Sequence, residues 1–390
     1  MSTAYEVTSE EEAAGRSHLR SFDRGAVREF VDRHIVPFAD MYDRLGRIPD
    51  ELLDRIAEAG LWAPFLSAEV GGAGLDMVTL GRVHEEVGRG CSSVRSLLTV
   101  HTMLAWAVQR WGSPAQRERW LPEVAAGRTL GAFCLSEPGA GSDAAGIVTT
   151  AVDHRGGWRL NGTKTWVTGG QRAELFLVFA RTATSIGAFL VPRSTSGVSV
   201  QPIDDMLGTR ASMLAEITFR DVLLDADALL GPSGFTAGMV LTGTLDLGRY
   251  SVAAGSVGII QACLDACAAY TATRTVGGTQ LRHLPLIQAK ISDMVTDVRA
   301  ARMLVEEAGR LKDAGDADTI MATWVAKYFA STAAARHAGE AVQVHGAGGC
   351  SPRHPVARLY RDSKVMEIIE GSNEIQRLTI AAAAYQGRAA

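Results

Sequence analysis

The stretch "GWRLNGTKTWVTGG", Gly157 to Gly170, is where the period of this sequence changes from that of a helix to that of a strand. Aromatic and β-branched residues recur there at a spacing near two, and Asn161-Gly162 is a two-residue hairpin signal. The expectation is two short alternating strands joined at that dipeptide. Around it, "LFLVFA", "GAFLVPR", "VSVQPI" and "AEITFRDVLL" continue as short strands separated by turn residues. Upstream, "PDELLDRIAEAGLWAPF" and "SLLTVHTMLAWAVQRWG" carry apolar residues at helical spacing, with the glycine-rich loop "EVGGAGL" between them. Downstream, "TGTLDLGRYSVAAGSVGIIQACLDACAAYTATR" is helical and rich in small residues that let helices approach closely. "LIQAKISDMVTDVRAARMLVEEAGRLKD" is amphipathic, and "DTIMATWVAKYFASTAAARHAGEAVQVHG" forms another long helical stretch.

Helices, then a small β region, then a helical bundle make an α+β protein rather than a doubly wound sheet. The expected domains are 1–128 (helical), 129–233 (β) and 234–390 (helical bundle). No glycine fingerprint follows a strand and opens a helix, which argues against a dinucleotide-binding Rossmann half. A chain of 390 residues with 47% hydrophobic and 21% charged residues has ample material for large cores. Its net charge of −4 gives no reason to expect a nucleic-acid partner or an anionic membrane surface. No apolar run approaches the roughly 20 residues that span a bilayer. The first residues, "MSTAYEVTSEEEAAGRSHLR", lack an apolar signal core. Five scattered cysteines (Cys91, Cys134, Cys263, Cys267, Cys350) form no zinc pattern, and His337 and His345 add none. No metal site is expected, and packing thiols suit a reducing cytoplasm.

"KVMEIIEGSNEIQRL", Lys364 to Leu378, sets Glu370 at the seam between an apolar helical repeat and the turn-forming Gly371-Ser372-Asn373. Taken alone, such a glutamate is as readily a solvated surface charge as a base in a cleft. "CLSEPGAGSDAAG", Cys134 to Gly146, is a glycine-rich loop able to present N–H groups and hydroxyls to a flavin or phosphate, or simply a turn.

In combination these segments are more specific. "CLSEPGAGSDAAG", "TKTWVTGG" and "QVHGAGGCSPRHPVARLYRDSKVMEIIEGSNEIQR", in this order and spacing, resemble the acyl-CoA dehydrogenase family over essentially the whole chain. The resemblance implies a helical domain, a β-barrel-like domain and a four-helix bundle, with bound FAD, assembled as a homodimer or homotetramer. It implies removal of the α-proton of an acyl thioester while the β-carbon gives hydride to flavin N5. Glu370 matches the family's base, and its N–H would be one donor to the enolate oxygen. In one branch the base comes from the helix containing "LDLGRY", but that position is Gly248 here. Phe133, Leu135, Ser136, Gly141 and Ser142 fall where the loop meets flavin and phosphates. Trp166 and Thr168 match the pair at the isoalloxazine, Trp166 having a strand-core residue as its alternative. Arg274 matches an arginine that reaches the pyrophosphate across a subunit boundary, and Gln343 and Gly346 match the adenosine loop. Ser372 and Glu374 flank the cofactor past the base, while Asp246, Arg249 and Gly371 match positions near the thioester.

The sequence also departs from the family pattern. "RTVGGTQLRHLP" has Gly277 in place of an aromatic and Pro285 in place of a glutamine, and Ala347 replaces a late-loop glycine. Only "RTATSI" joins "LFLVFA" to "GAFLVPR", shorter than the loop that in many relatives helps hold the CoA nucleotide. A thioester on an acyl-carrier protein therefore stands beside one on CoA. Arg95 and Thr99 fall at the floor of the acyl pocket, where an arginine suits a short acyl group bearing a hydroxyl, amine or carboxylate. The alternative is an Arg95 turned to solvent or to an internal carboxylate. Short loop and arginine together resemble the acyl-carrier-protein dehydrogenases of polyketide extender-unit assembly. The expected function is FAD-dependent dehydrogenation of a short polar acyl thioester, with electrons passing to an electron-transfer flavoprotein or oxygen. A flavin monooxygenase or oxidase acting on a non-thioester, and a non-catalytic scaffold that binds a carrier protein, are the competing readings.

Overall fold

The computed structural model describes residue 19 and residues 22–231 and 237–386; the acidic N-terminal stretch and the boundary expected at 233/234 lie outside the described residues. Six helices come first: α1 Arg24–His34, α2 Ala39–Leu45, α3 Asp50–Glu58, α4 Met77–Gly90, α5 Ser92–Trp111 and α6 Pro114–Ala125. Their starts follow capping chemistry. Asp76 accepts from the Thr79 N–H at 2.6 Å to open α4, and Ser113 with Gln116 forms a reciprocal capping box before α6.

Seven strands follow: β1 Gly131–Cys134, β2 Thr150–His154, β3 Gly157–Val167, β4 Leu175–Arg181, β5 Ile186–Pro192, β6 Val198–Pro202 and β7 Ala215–Leu224. They make one sheet in the order β1-β4-β2-β3-β7-β6, with β5 also paired to β4. β1 runs parallel to β4, whereas β2–β3, β3–β7, β6–β7 and β4–β5 are antiparallel. The expected hairpin at Asn161-Gly162 is not there. β3 runs through the dipeptide, and the turn joining β2 to β3 is Arg155-Gly156, both at positive φ. Asn161-Gly162 instead makes a bulge against β7: the register shifts between Leu160 and Gly162, and Asn161 Oδ1 accepts from the Asp221 N–H at 2.8 Å. A glycine at φ 148° next to a side chain that bonds backbone serves a bulge as well as a turn.

The remaining chain forms α7 Ala237–Thr273, a small hairpin of β8 Thr275–Val276 and β9 Thr279–Gln280, then α8 Pro285–Ala314, α9 Thr319–His345, α10 Pro355–Ile368 and α11 Asn373–Tyr385. Gly277 and Gly278 are the two left-handed residues of the β8–β9 turn, so the departure at Gly277 suits a tight hairpin. Pro285 sits in the first turn of α8, where a missing N–H costs nothing.

By length and composition α7 could cross a membrane, but most of its apolar window is buried inside the fold, as in the core helix of a bundle. Its small residues let α4 come to backbone contact: a Cβ on Gly258 would lie 2.1 Å from the Glu85 carbonyl oxygen, and one on Gly88 2.7 Å from the Gly255 Cα. One apolar core joins these helices to the sheet, a second lies under α1–α3, and a third lies within the sheet. The shared core presses α5, α7, α9 and the α10–α11 junction together, and the charged cluster lies among them.

Candidate active site

α10 ends at Ile368, and the chain turns through Glu370 and Gly371 into α11. Both are left-handed, at φ 57° and 87°. For glutamate that backbone is strained, and such strain is held only where the surroundings fix it. Three donors do so. The Glu370 carbonyl accepts from Arg249 Nε at 3.0 Å and Gln376 Nε2 at 3.3 Å, and the Gly371 carbonyl from Gln376 Nε2 at 3.1 Å and Lys327 Nζ at 2.8 Å. Among the described residues the Glu370 N–H meets no protein acceptor.

Part of Glu370 is accessible, but its Oε2 is enclosed and has no hydrogen-bond partner. Gly248 of α7 provides the space, since a Cβ there would lie 2.3 Å from Oε2. Burial pushes the carboxyl up to about 7, against the opposing pull of Arg249, Arg95 and Lys327.

Arg95 is 1% exposed, which excludes a solvent-facing side chain. Nor does it pair with an internal carboxylate: its guanidinium donates to Thr99 Oγ1 and Ser96 Oγ at 2.9 Å each and contacts Met366 Sδ at 3.2 Å, and Nε has no partner. Burial lowers it to about 10, with Glu370 the first of the charges holding it up. Gly255, two turns beyond Gly248 on α7, makes its room; a Cβ there would lie 2.9 Å from Arg95 Nε. Thr99 Oγ1 continues the polar chain to Ser251 Oγ at 2.6 Å, and Ser251 to His84 Nδ1 at 3.1 Å. Burial pushes His84 down to about 3, so it enters this chain neutral.

Asp246, which the resemblance puts near the thioester, is paired within the protein. Its carboxylate is committed to an ion pair with Lys312 of α8, and Oδ1 is buried without a partner. It lies one turn from Arg249 on α7 and acts on that guanidinium as a nearby charge.

A second group lies on the sheet. The buried Lys164–Glu137 pair, at 2.7 Å, braces the loop after β1: Lys164 also donates to the Leu135 carbonyl, and Glu137 accepts from the N–H groups of Val148 and Thr149. The Thr165 N–H donates to the Ser136 carbonyl, which sets Ser136 beside Trp166. Trp166 sits at φ 59° in an irregular stretch of β3 and is 56% exposed, so it is no strand-core residue. Phe133 is part-buried against Phe179; Gly141 and Ser142 are exposed at the loop tip, and Thr168 is half-buried. An exposed indole beside a braced loop with an open, small-residue tip fits a planar ring system and its phosphates. Gly169 packs against Leu97 of α5, the helix that also carries Arg95 and Thr99.

The third group lies elsewhere. Arg274 follows the end of α7, while Gln343 and Gly346 end α9; all are exposed and flank a Tyr270–His345 ring stack. Arg249 and Arg274 lie nearly the whole C-terminal part of α7 apart, about 36 Å at 1.5 Å per residue. Ser372, at the N-cap of α11, and the exposed Glu374 stay with Glu370; the Glu374 N–H and the Ser372 hydroxyl hold the Glu374 carboxyl below its usual range. Sequence reading missed Lys327, Ser251, His84, Gly255 and Lys164. Only Lys327 left a signal, as the one charge in the otherwise apolar "TIMATWVAKYFASTAAA".

A helical, sheet and helical-bundle chain with a buried carboxylate between two guanidinium groups and a sheet-borne aromatic platform defines a flavin-dependent dehydrogenase class. The chain belongs to the acyl-CoA dehydrogenase family: the N-terminal, middle and C-terminal domain models match residues 23–128, 132–222 and 233–385. It is 37% identical to the mitochondrial short-chain specific acyl-CoA dehydrogenase of Sus scrofa, over 92% of this chain and 88% of that protein. Among solved structures it resembles a glutaryl-CoA dehydrogenase from Mycobacterium smegmatis in complex with FADH2, at 30% identity and TM-score 0.87, covering 94% of each chain. It also resembles FkbI, described as serving biosynthesis of the methoxymalonyl extender unit of Fk520, at 35% identity and TM-score 0.86, covering 93% of this chain and 99% of that one. The family consists of FAD-dependent oxidoreductases that dehydrogenate acyl-CoA thioesters.

Proposed function

We propose that this chain dehydrogenates a short acyl thioester that carries a polar or anionic group at the far end of the acyl chain, with Glu370 as the base. The observation that carries the reading is the enclosed, unpartnered Glu370 Oε2 in the space left by Gly248. A carboxyl raised to about 7 is basic enough to take an α-proton near neutral pH, and Oε2 is the receiving atom. The free Glu370 N–H, held by the pinned carbonyls of residues 370 and 371, points to a place for the thioester oxygen. FAD supplies the hydride acceptor. Phe133, Leu135, Ser136, Gly141, Ser142, Trp166 and Thr168 would hold it in one subunit, with Ser372 and Glu374 at its edge.

Arg274, at the far end of α7, and Gln343 and Gly346, at the end of α9, lie too far from the Glu370 end of α7 to serve the same cofactor within one chain. Their distance supports a homodimeric or homotetrameric arrangement in which they reach a neighbour's FAD. Arg95, buried with Nε free and no carboxylate, is the receptor for the polar end of the acyl group, with Thr99 fixing its orientation. A charge-assisted hydrogen bond there contributes about 1.5–3 kcal/mol.

The β4–β5 connection is a tight turn closed by Thr182 N to Ser185 O at 2.8 Å, with no length to reach a nucleotide. That supports a carrier-protein thioester over CoA, in keeping with the likeness to FkbI. The electrons would leave to an electron-transfer flavoprotein or oxygen. The test is anaerobic bleaching of bound flavin by short acyl groups, plain and carboxylate- or hydroxyl-bearing, each on CoA and on a phosphopantetheinyl carrier protein. Bleaching that is lost in Glu370→Gln with FAD retained, and favoured by polar acyl groups, supports the reading. Bleaching that survives in Glu370→Gln removes the base assignment, and preference for plain acyl-CoA removes the substrate assignment.

A further inference from the structure

We propose that Lys327 is the positioning residue of the base: it locks the turn that carries Glu370 from both sides and stands as the carboxylate's counter-charge. This rests on the reading of Glu370 as base.

Lys327 lies in the middle of α9 among alanines and aromatics and is 0% exposed. Its ammonium spends all three protons on the Glu370 segment. It donates to the Gly371 carbonyl at 2.8 Å, to Asn373 Oδ1 at 2.9 Å and to the Glu367 carbonyl at 3.2 Å. Glu367 is in the last turn of α10 and Asn373 is the first residue of α11, so one ammonium bridges the two helices across the base. The acceptor is itself oriented: Asn373 Oδ1 also accepts from Ser331 Oγ at 3.0 Å, and Asn373 Nδ2 donates to Thr332 Oγ1 at 3.1 Å. With Arg249 on the Glu370 carbonyl, the carbonyls of residues 367, 370 and 371 are all held by cationic donors.

The ammonium makes three hydrogen bonds where a neutral side-chain amide has two N–H donors, and it carries a charge whose burial costs free energy that capping a helix does not by itself require. None of its three hydrogen bonds goes to a carboxylate; the first charge acting on it is Glu370. Burial brings the ammonium down to about 7, while Lys327 in turn lowers the carboxyl of Glu370. The other charges facing this pair are Arg95 on α5, Arg249 on α7, Glu367 on α10 and Glu374 on α11, with Asp246 and Lys312 behind Arg249.

The experiment measures the rate of flavin reduction, anaerobically and from pH 5.5 to 9, by a saturating concentration of whichever short acyl thioester, on CoA or on a carrier protein, bleaches the wild-type flavin. It compares the FAD-loaded wild type, Lys327→Gln, Lys327→Arg and Glu370→Gln. In Lys327→Gln, which keeps an amide donor and loses the charge, the acid limb moves up by about one pH unit. Lys327 is the last of the three charges holding that carboxyl down, so the shift is set at the low end of what an opposite charge does. The rate then falls roughly tenfold below the limb and recovers above it, and the substrate Kd changes less than twofold. In Lys327→Arg the limb stays in place. An equal loss at every pH with an unmoved limb overturns the proposal, because a structural cap would act that way. If Lys327→Gln does not fold with FAD, Lys327→Met, which keeps the apolar stem and loses the charge, is read in the same way: a limb moved up supports the proposal, and an unmoved limb overturns it. Glu370→Gln separates the two claims. If it still reduces flavin, the base assignment has failed and the Lys327 proposal falls with it. If it is inactive, only the behaviour of the Lys327 variants decides.

Discussion

Glu370→Gln is expected to make the resting protein more stable, and more so as pH rises. In the folded chain burial raises the carboxyl from 4.5 to about 7, because Oε2 is enclosed without a donor. Between those values the folded state holds a proton that the unfolded chain has released. Folding stability from this group therefore falls as pH rises from 4.5, and the loss is complete above about 7. At 1.36 kcal/mol per pH unit the cost reaches roughly 3 kcal/mol at pH 8 and vanishes below pH 4.5. A glutamine has nearly the same shape and no charge to bury, so it removes that cost. For 390 residues the unfolding entropy is about 0.8 kcal/mol/K, so the variant should melt about 4 °C above wild type at pH 8. The gap should close towards pH 5. Scanning calorimetry of FAD-loaded, substrate-free protein at one scan rate measures it. A variant that melts at or below wild type at pH 8 would refute the reasoning, since the carboxylate would then be satisfied in solution.

Gly248→Ala should leave stability within about 1 kcal/mol, because the gain in helix propensity offsets contacts made only with the side-chain ends of Glu370 and Met103. It should nevertheless slow flavin reduction by roughly 100-fold through displacement of the carboxylate; stopped-flow bleaching and a melting curve separate the two effects. Arg95→Met should lower kcat/KM for carboxylate- or hydroxyl-bearing acyl groups by roughly 100-fold relative to plain ones of equal length, as expected for losing a charge-assisted bond. Substrate-panel kinetics read that ratio directly. Trp166→Leu should weaken FAD binding by roughly tenfold, a stacking loss of about 1.4 kcal/mol, and leave the melting temperature of the apoprotein unchanged, because the indole is exposed. Equilibrium dialysis with calorimetry tests it. Arg274→Ala should raise FAD loss on dilution without altering the circular dichroism of the chain, since its side chain is exposed at the end of α7.

The order of elements was legible in the residues because it depends on local period and turn chemistry: helical spacing to about residue 125, alternation through Ala215–Leu224, and helices again from α7. Even there a local signal misled. Asn161-Gly162 reads as a hairpin, but pairing with β7 holds the dipeptide as a bulge, and the turn falls to Arg155-Gly156. The family was legible too, since three motifs at matching spacing need no coordinates. So was Glu370 as a candidate, from its seat at a helix end.

Which charges would act on Glu370 was not legible. Arg95, Gly248 and Lys327 lie on three different helices and Glu370 in the turn between two more, and no spacing rule links positions 95, 248, 327 and 370. Arg95 had three readings in the sequence, and burial without a carboxylate partner excluded the two that turned it to solvent or to an internal acid. Asp246 and Arg249 share a helix in the sequence, but the ion pair of Asp246 with Lys312 of α8 appears only on packing. By itself the sequence determined the elements, the family and the identity of the candidate base, because those are properties of neighbouring residues. The tertiary structure decided the base's affinity for a proton and the charge left open for a substrate. Both depend on burial and on the distance to charges that meet only when α5, α7, α9 and the α10–α11 turn close on one another.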